Sequence, residues 1–284
     1  MQTRHTTAPD HTAIRVALWR ALHMHADAEP HILNDDIGAK LVGEDNWRDR
    51  EDMDAEFTKP MRASIVGRAR FVEDLVEEQV KQGVSQYIIL GAGLDTFAQR
   101  RLDLTPRLHV FEIDQPATQA WKQKRLIETG FTIPDWLHFV PVDFEAGQSW
   151  WDQLIASRFD RHKPAVAVST GVSMYLTKEA NVATLEQVAA LAPGSTFAMT
   201  FMLALEHLEP DERSMMEYVM KKAHEGGTPF LSLYSPEDIL ATAKVAGFKN
   251  PRYVSAENIY QRYFASRKDG LRVRSAEAFL VATT

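Results

Sequence analysis

Apolar residues along this chain fall into two alternating patterns: short unbroken runs, and longer stretches in which they recur every three or four positions. The first clear helical period covers 64–82, where Ile65, Val72, Leu75, Val76 and Val80 share one face and Gly83 supplies a C-terminal cap. Tyr87, Ile88, Ile89 and Leu90 then form an unbroken run that reads as a buried strand. Runs at 108–113, 138–142, 165–168 and 195–201 read as four more strands. Helical stretches after Asp95, at 117–127 and at 179–191 separate them. Strands alternating with helices imply βαβ units and a mostly parallel sheet. Further on, Ser235, Pro236, Glu237 and Asp238 supply a cap, a first-turn proline and first-turn acids, and Gly247 closes that helix. Residues 252–254 and 278–282 give a sixth and a seventh strand, the last expected as an antiparallel edge.

The expected fold class is therefore α/β: a Rossmann-like sheet of about seven mostly parallel strands in a single domain over 1–284. Residues 1–62 read as a helical extension, with Ala13, Val16, Ala17, Trp19 and Arg20 on a helical pattern and an acidic run at 44–56 read as solvated surface. Residues 63–201 form the expected cofactor-binding core, 202–234 a helical lid insertion, and 235–284 a C-terminal helix and strands. The insertion carries Met202, Met215, Met216 and Met220 beside Tyr218, His207 and His224. Such methionines suit either an adaptable wall against a ligand or an ordinary core, and the sequence leaves both open.

Composition narrows the chemistry. Of 284 residues, 45% are hydrophobic and 25% charged, the balance of a chain with a sizeable core. No cysteine is present, which removes disulfides, thiolate metal sites and cysteine nucleophiles and fits a reducing compartment. A formal net charge of -7 argues against a nucleic-acid partner, and Arg62, Arg68 and Arg70 make too short a basic cluster to reverse that. Arg15, Arg20, His23 and His25 interrupt the early apolar positions, so no signal peptide is read. No stretch approaches the roughly 20 apolar residues of a membrane span. The expected location is cytoplasmic, with no membrane partner; oligomeric state is not readable.

The loop Leu90, Gly91, Ala92, Gly93, Leu94, Asp95 follows the first strand directly. Glycines there let the chain turn sharply and let a ligand approach the backbone. A dinucleotide fingerprint asks for a third glycine at 96, where Thr96 stands, and Asp95 would repel a pyrophosphate. A cationic ligand such as S-adenosylmethionine has the opposite preference. About 20 residues on, Glu112 and Asp114 end the second strand, two apart and so on one face, where a carboxylate can take both ribose hydroxyls. Asp143 and Phe144 end the third strand, placed to meet an adenine amino group and ring.

Taken together, these segments resemble the leucine carboxyl methyltransferase family, especially its bacterial branch of small-molecule O-methyltransferases. The resemblance runs from about residue 10 to the C-terminus. It rests on Arg68-Ala69-Arg70-Phe71, the loop through Thr96, Phe111-Glu112-Ile113-Asp114-Gln115-Pro116, Val142-Asp143-Phe144 and Tyr175-Leu176. It implies a class I methyltransferase fold with S-adenosyl-L-methionine as cofactor. Arg68 then pairs with the methionine carboxylate, Gly91, Ala92, Gly93 and Asp95 frame its backbone-like portion, Asp114 holds the ribose, and Asp143 with Phe144 frames the adenine. Where the family usually has a glutamate near the methionine amino group, this chain has Thr170.

Methyl transfer from a sulfonium is a displacement in which positive charge disappears, so alignment and exclusion of water can do much of the work. A carboxylate acceptor needs no base, whereas a hydroxyl needs its proton taken. Tyr175 and His207 are the candidates for orienting the substrate or acting as that base. No histidine and acid spacing suggests a metal site. The expectation is an O-methyltransferase acting on a small-molecule carboxylate or hydroxyl, a role that fits secondary metabolism. The rivals are a nicotinamide-dependent oxidoreductase and a catalytically inactive S-adenosylmethionine-binding protein.

Overall fold

The computed structural model describes residues 9–144 and 146–284. Its centre is a seven-stranded sheet in the order β3-β2-β1-β4-β5-β7-β6. The strands are β1 (Gln86–Leu90), β2 (His109–Asp114), β3 (Leu137–Pro141), β4 (Val166–Ser169), β5 (Thr196–Met202), β6 (Lys249–Val254) and β7 (Glu277–Thr283). The first five pair in parallel, and β7 runs antiparallel to both β5 and β6. The expectation of an antiparallel last strand holds, but its place is corrected. β7 lies inside the sheet and β6 forms the edge.

Every residue of β1 is buried, and its side chains divide between the two faces of the sheet. Ile88 and Leu90 join one core, while Tyr87 and Ile89 join the other. A central parallel strand covered on both faces must read as an unbroken apolar run, and this one does. The long helix α3 (Lys59–Lys81, preceded by α1, His11–Ala26, and α2, Ile37–Val42) lays Val66, Val72, Val76 and Val80 on the Tyr87 face. The single turn α4 (Phe97–Arg100) contributes Phe97 to that face, and α5 (Pro116–Glu128) packs Leu126 against Ile37 and Leu41 of α2. On the Ile88 face lie α6 (Trp150–Ala156), α7 (Lys178–Ala189), α8 (Pro210–Glu225) and α9 (Pro236–Val245), while α10 (Ala256–Tyr263) returns Ile259 to the α3 side.

Within the insertion, Met216 of α8 is buried in the main core, and Met202 and Met220 pack against the same core. Those methionines fill space beneath the sheet. The acidic run at 44–56 is largely exposed, but Trp47 and Met53 within it are buried against α1 residues Leu18 and Leu22. No described helix is long and apolar enough to cross a membrane.

Candidate active site

The turn from β1 into α4 is held in one shape from two sides. Gly91 and Gly93 have φ of 73° and 49°, the left-handed region that costs glycine little. The Gly91 and Ala92 N–H groups both donate to the Ile113 carbonyl, at 2.9 and 3.1 Å, and the Gly93 N–H donates to the Asp114 carboxylate at 2.5 Å. The Gly91, Ala92 and Gly93 amides that could have cradled a phosphate are thus already used on β2. From the other side, Arg20 of α1 donates to the Leu94 carbonyl and to Asp35, both at 2.6 Å, and Thr96 donates to the same Asp35 carboxylate at 2.6 Å. Burial alone would raise the Asp35 pKa, but the Arg20 and Arg100 charges bring it below the usual carboxylate range.

Asp114 sits at the end of β2 with its carboxylate turned back to the loop, also accepting the Gln115 N–H at 2.7 Å. Burial raises its pKa, against the pull of those two N–H donors. An ionised carboxylate offers about four lone-pair sites, so two remain for hydroxyl donors. Glu112 differs from the expectation. It is fully buried and pairs with Lys122 of α5 at 2.5 Å. The two acids do share a face, but Glu112 lies deeper, under α5. Burial pushes its pKa up to about 7 despite the lysine.

Arg68 of α3 reaches the same edge of the sheet. It donates to Glu277 at the start of β7 at 2.8 Å, and its guanidinium lies over the bare backbone of Gly171, where a Cβ would come within 2.9 Å of Nη2. Arg68, Asp95 and Thr170 line one narrow cleft with Val16 and Arg20 of α1. Asp95 also accepts the Phe97 N–H at 2.8 Å, placing a negative charge at the start of α4. The turn after β4 continues to Tyr175, whose ring meets Phe230 edge-on at 5.4 Å. Burial raises the Tyr175 pKa, while the charges of Arg15 and Arg68 oppose the rise.

The structure therefore brings together Arg68, Asp95 and Thr170, joins Gly93 to Asp114, and sets Tyr175 within reach of the Arg68 charge. Asp143 and Phe144 stand at the end of β3. The Asp143 carboxylate accepts the Ala146 N–H at 2.9 Å, and the Phe144 ring is 47% exposed. His207 lies exposed on the turn Leu205–His207. Sequence reasoning missed the part played by α1. Its Ala13 lies 3.5 Å from where a Gly93 Cβ would stand, so the N-terminal helix covers the glycine loop.

An adenosine-bearing cation fits these residues. The loop presents carboxylates beside three amides already used on β2, Asp95 and Arg68 line one narrow cleft, and Asp114 retains acceptor capacity. A parallel sheet with one inserted antiparallel strand, carrying such a loop after β1, defines a class I methyltransferase. The leucine carboxyl methyltransferase model matches residues 13–189. YktD of Bacillus subtilis, provisionally assigned as an S-adenosyl-L-methionine-dependent methyltransferase, is 33% identical over 207 residues, 72% of this chain and 67% of that protein. A provisionally assigned relative from Mycolicibacterium smegmatis is 33% identical over 216 residues, 71% of this chain and 69% of that one. Among solved structures, a provisionally assigned methyltransferase from Thermobifida fusca has a TM-score of 0.61 at 17% identity, covering 98% of this chain and 96% of that one, a likeness of fold. The chain belongs to the leucine carboxyl methyltransferase family of S-adenosylmethionine-dependent methyltransferases.

Proposed function

We propose that this protein transfers a methyl group from S-adenosylmethionine to an oxygen of a small-molecule carboxylate or hydroxyl, a modification suited to secondary metabolism. The observation that carries the reading is the glycine loop, whose Gly91, Ala92 and Gly93 amides are spent on Ile113 and Asp114 while Asp114 and Asp95 stand at its rim. When bound, the cofactor supplies an electrophilic methyl group on a sulfonium. Asp114 would hold the ribose hydroxyls, Arg68 the methionine carboxylate, and Asp143 with Phe144 the adenine. Tyr175 would stand on the acceptor side, beside Phe230 of the segment following α8. A pyrophosphate at the same loop would meet two acids and find none of the Gly91, Ala92 and Gly93 amides free, which weighs against a nicotinamide dinucleotide.

Calorimetric titration with S-adenosylhomocysteine and with NADH tests the reading. Binding of the first alone is expected, and binding of NADH alone would refute it. A mass-spectrometric screen of methyl acceptors then identifies the substrate. Thr170, at the position of the family glutamate, supports the second reading of a binding protein without turnover, and that reading requires S-adenosylhomocysteine binding with no acceptor methylated in a broad screen.

A further inference from the structure

Two arginines of this region are each held at two or more points. Arg62 grips both oxygens of Asp27, and Arg20 bonds Asp35 and the Leu94 carbonyl. The pair of Arg68 and Glu277 is different. One hydrogen bond, 2.8 Å from Nη1 to Oε1, is all that either side chain makes among the described residues. The other atoms, Nε and Nη2 of Arg68 and Oε2 of Glu277, are not shut away from solvent. A donor-rich cation and an anion with a free acceptor thus lie side by side and open.

The fold fixes where this pair stands. Glu277 lies opposite Met202 at the carboxyl end of β5, and alternation puts it on the same face of β7 as Phe279 and Val281. Helix α3 covers that face, its Phe71 ring 4.7 Å from the Phe279 ring, and Arg68 stands three residues before Phe71. Arg68 also lines the cleft with Asp95 and Thr170 and lies over the bare backbone of Gly171. The Gly171 N–H donates in turn to the Thr200 hydroxyl of β5 at 2.8 Å. The charge pair is therefore tied to the carboxyl edge of the central strands, the edge that carries the glycine loop.

We propose that Arg68 and Glu277 together receive the amino-acid end of the cofactor, with Glu277 holding its ammonium group. This rests on the methyltransferase reading above. An α-amino acid carries a carboxylate and an ammonium on one carbon, the complement of a guanidinium and a carboxylate already in contact. The ligand carboxylate takes the open donors of Arg68, and Oε2 of Glu277 accepts from the ammonium. Other acids nearby are committed elsewhere: Asp35 to Arg20 and Thr96, Glu73 to Arg100, and Asp114 to the Gly93 and Gln115 N–H groups. Thr170 carries no charge, so the acid for the ammonium comes from the last strand instead of from the turn after β4. Asp95, which shares the cleft with Arg68, is the rival.

Calorimetry tests this with the wild-type chain, Glu277→Gln, Glu277→Ala and Asp95→Asn, each checked for folding by urea denaturation. The ligands are S-adenosylhomocysteine, its deaminated analogue, which keeps the carboxylate, and its decarboxylated analogue, which keeps the amine. In the wild type, loss of the amino group is expected to weaken binding about 10- to 100-fold, the scale of one charge-assisted contact. Both Glu277 variants should weaken S-adenosylhomocysteine and the decarboxylated analogue by a similar factor. The deaminated analogue should bind them as it binds the wild type, within about twofold, because its contact is already gone. In Asp95→Asn the penalty for deamination should persist. Equal losses for the deaminated analogue would show that Glu277 only positions Arg68, and the proposal is overturned. Unchanged S-adenosylhomocysteine affinity in both Glu277 variants overturns it too, as does a deamination penalty that vanishes in Asp95→Asn alone. A wild type indifferent to the amino group overturns it without any variant. Failure of the wild type to bind S-adenosylhomocysteine at all overturns the methyltransferase reading itself.

Discussion

Gly91→Ala is the most informative single change in the glycine loop. Gly91 has φ of 73°, and an L-residue held there is strained by about 1–2 kcal/mol. A Cβ at that position would stand 2.4 Å from Cγ2 of Val172, well inside contact distance, and overpacking of this kind costs about 1–3 kcal/mol more. The expected loss is therefore about 2–5 kcal/mol in urea denaturation. The two contributions separate in a double-mutant cycle. Val172→Ala alone removes little buried surface, because Val172 is partly exposed, and should cost about 1 kcal/mol. In the double variant the clash disappears while the backbone strain stays, so the pair should be more stable than the sum of the singles by about 1–3 kcal/mol. Because Val172 lies in the turn between Thr170 and Tyr175, Gly91→Ala should also weaken S-adenosylhomocysteine binding, and Val172→Ala should restore part of it. Strict additivity of the two stability losses would show that the loop and the turn do not press on each other, and the steric argument would fail.

Three further outcomes are expected. Asp114→Asn keeps an oxygen for the Gly93 N–H but loses the charge and half the acceptor capacity, so S-adenosylhomocysteine affinity should drop about 10- to 100-fold in calorimetry with the fold intact. Glu112 rises from 4.5 to about 7 through burial, so the folded chain keeps a proton that the unfolded chain has released. That contribution is fully present below 4.5 and is lost as pH rises through about 7, at most about 3 kcal/mol, and Glu112→Gln with Lys122→Met should flatten the slope between pH 5 and 8 in urea denaturation. Asp27→Asn leaves Arg62, 1% exposed and bound to both oxygens of Asp27 at 2.6 and 2.7 Å, without its counter-charge; a loss of about 3–5 kcal/mol is expected, and one below about 1 kcal/mol would show that the pair is replaceable.

Much of the fold was legible because the central strands are buried on both faces. The runs at 87–90 and 165–168 contain little except apolar residues, and no helical period competes with them. The order of the last two strands was misjudged from nearness to the chain end, although a physical signal was present. Lys249, Pro251 and Arg252 suit an edge that must resist further pairing, while Phe279, Leu280 and Val281 suit an interior strand. The helix at Ala256–Tyr263 was readable from Ala256, Ile259, Tyr260 and Tyr263 at steps of three, four and seven, and from the capping box of Ser255 and Asn258. In the site, the loop glycines and Asp114 could be read because a strand, a turn and an acid at fixed spacing make one local unit. Glu112 could not be sorted from Asp114 that way, since alternation gives the face but not the depth, and Lys122 above it belongs to the next helix. Arg20 of α1 and Asp35 beyond it reach the site only through the docking of that helix and the segment after it, which no local pattern announces.

β7 has one more consequence, for the order in which the molecule is built. Arg68 finds Glu277 only 209 positions further along the chain, and β5 has no neighbour on its outer side until that same strand arrives. During synthesis the nascent sheet must wait with one flank open and one arginine unmatched, a period in which chaperone capture or mispairing competes with completion. The arrival of β7 closes the flank and supplies that arginine with its carboxylate, so until then the donor pocket is electrically unfinished.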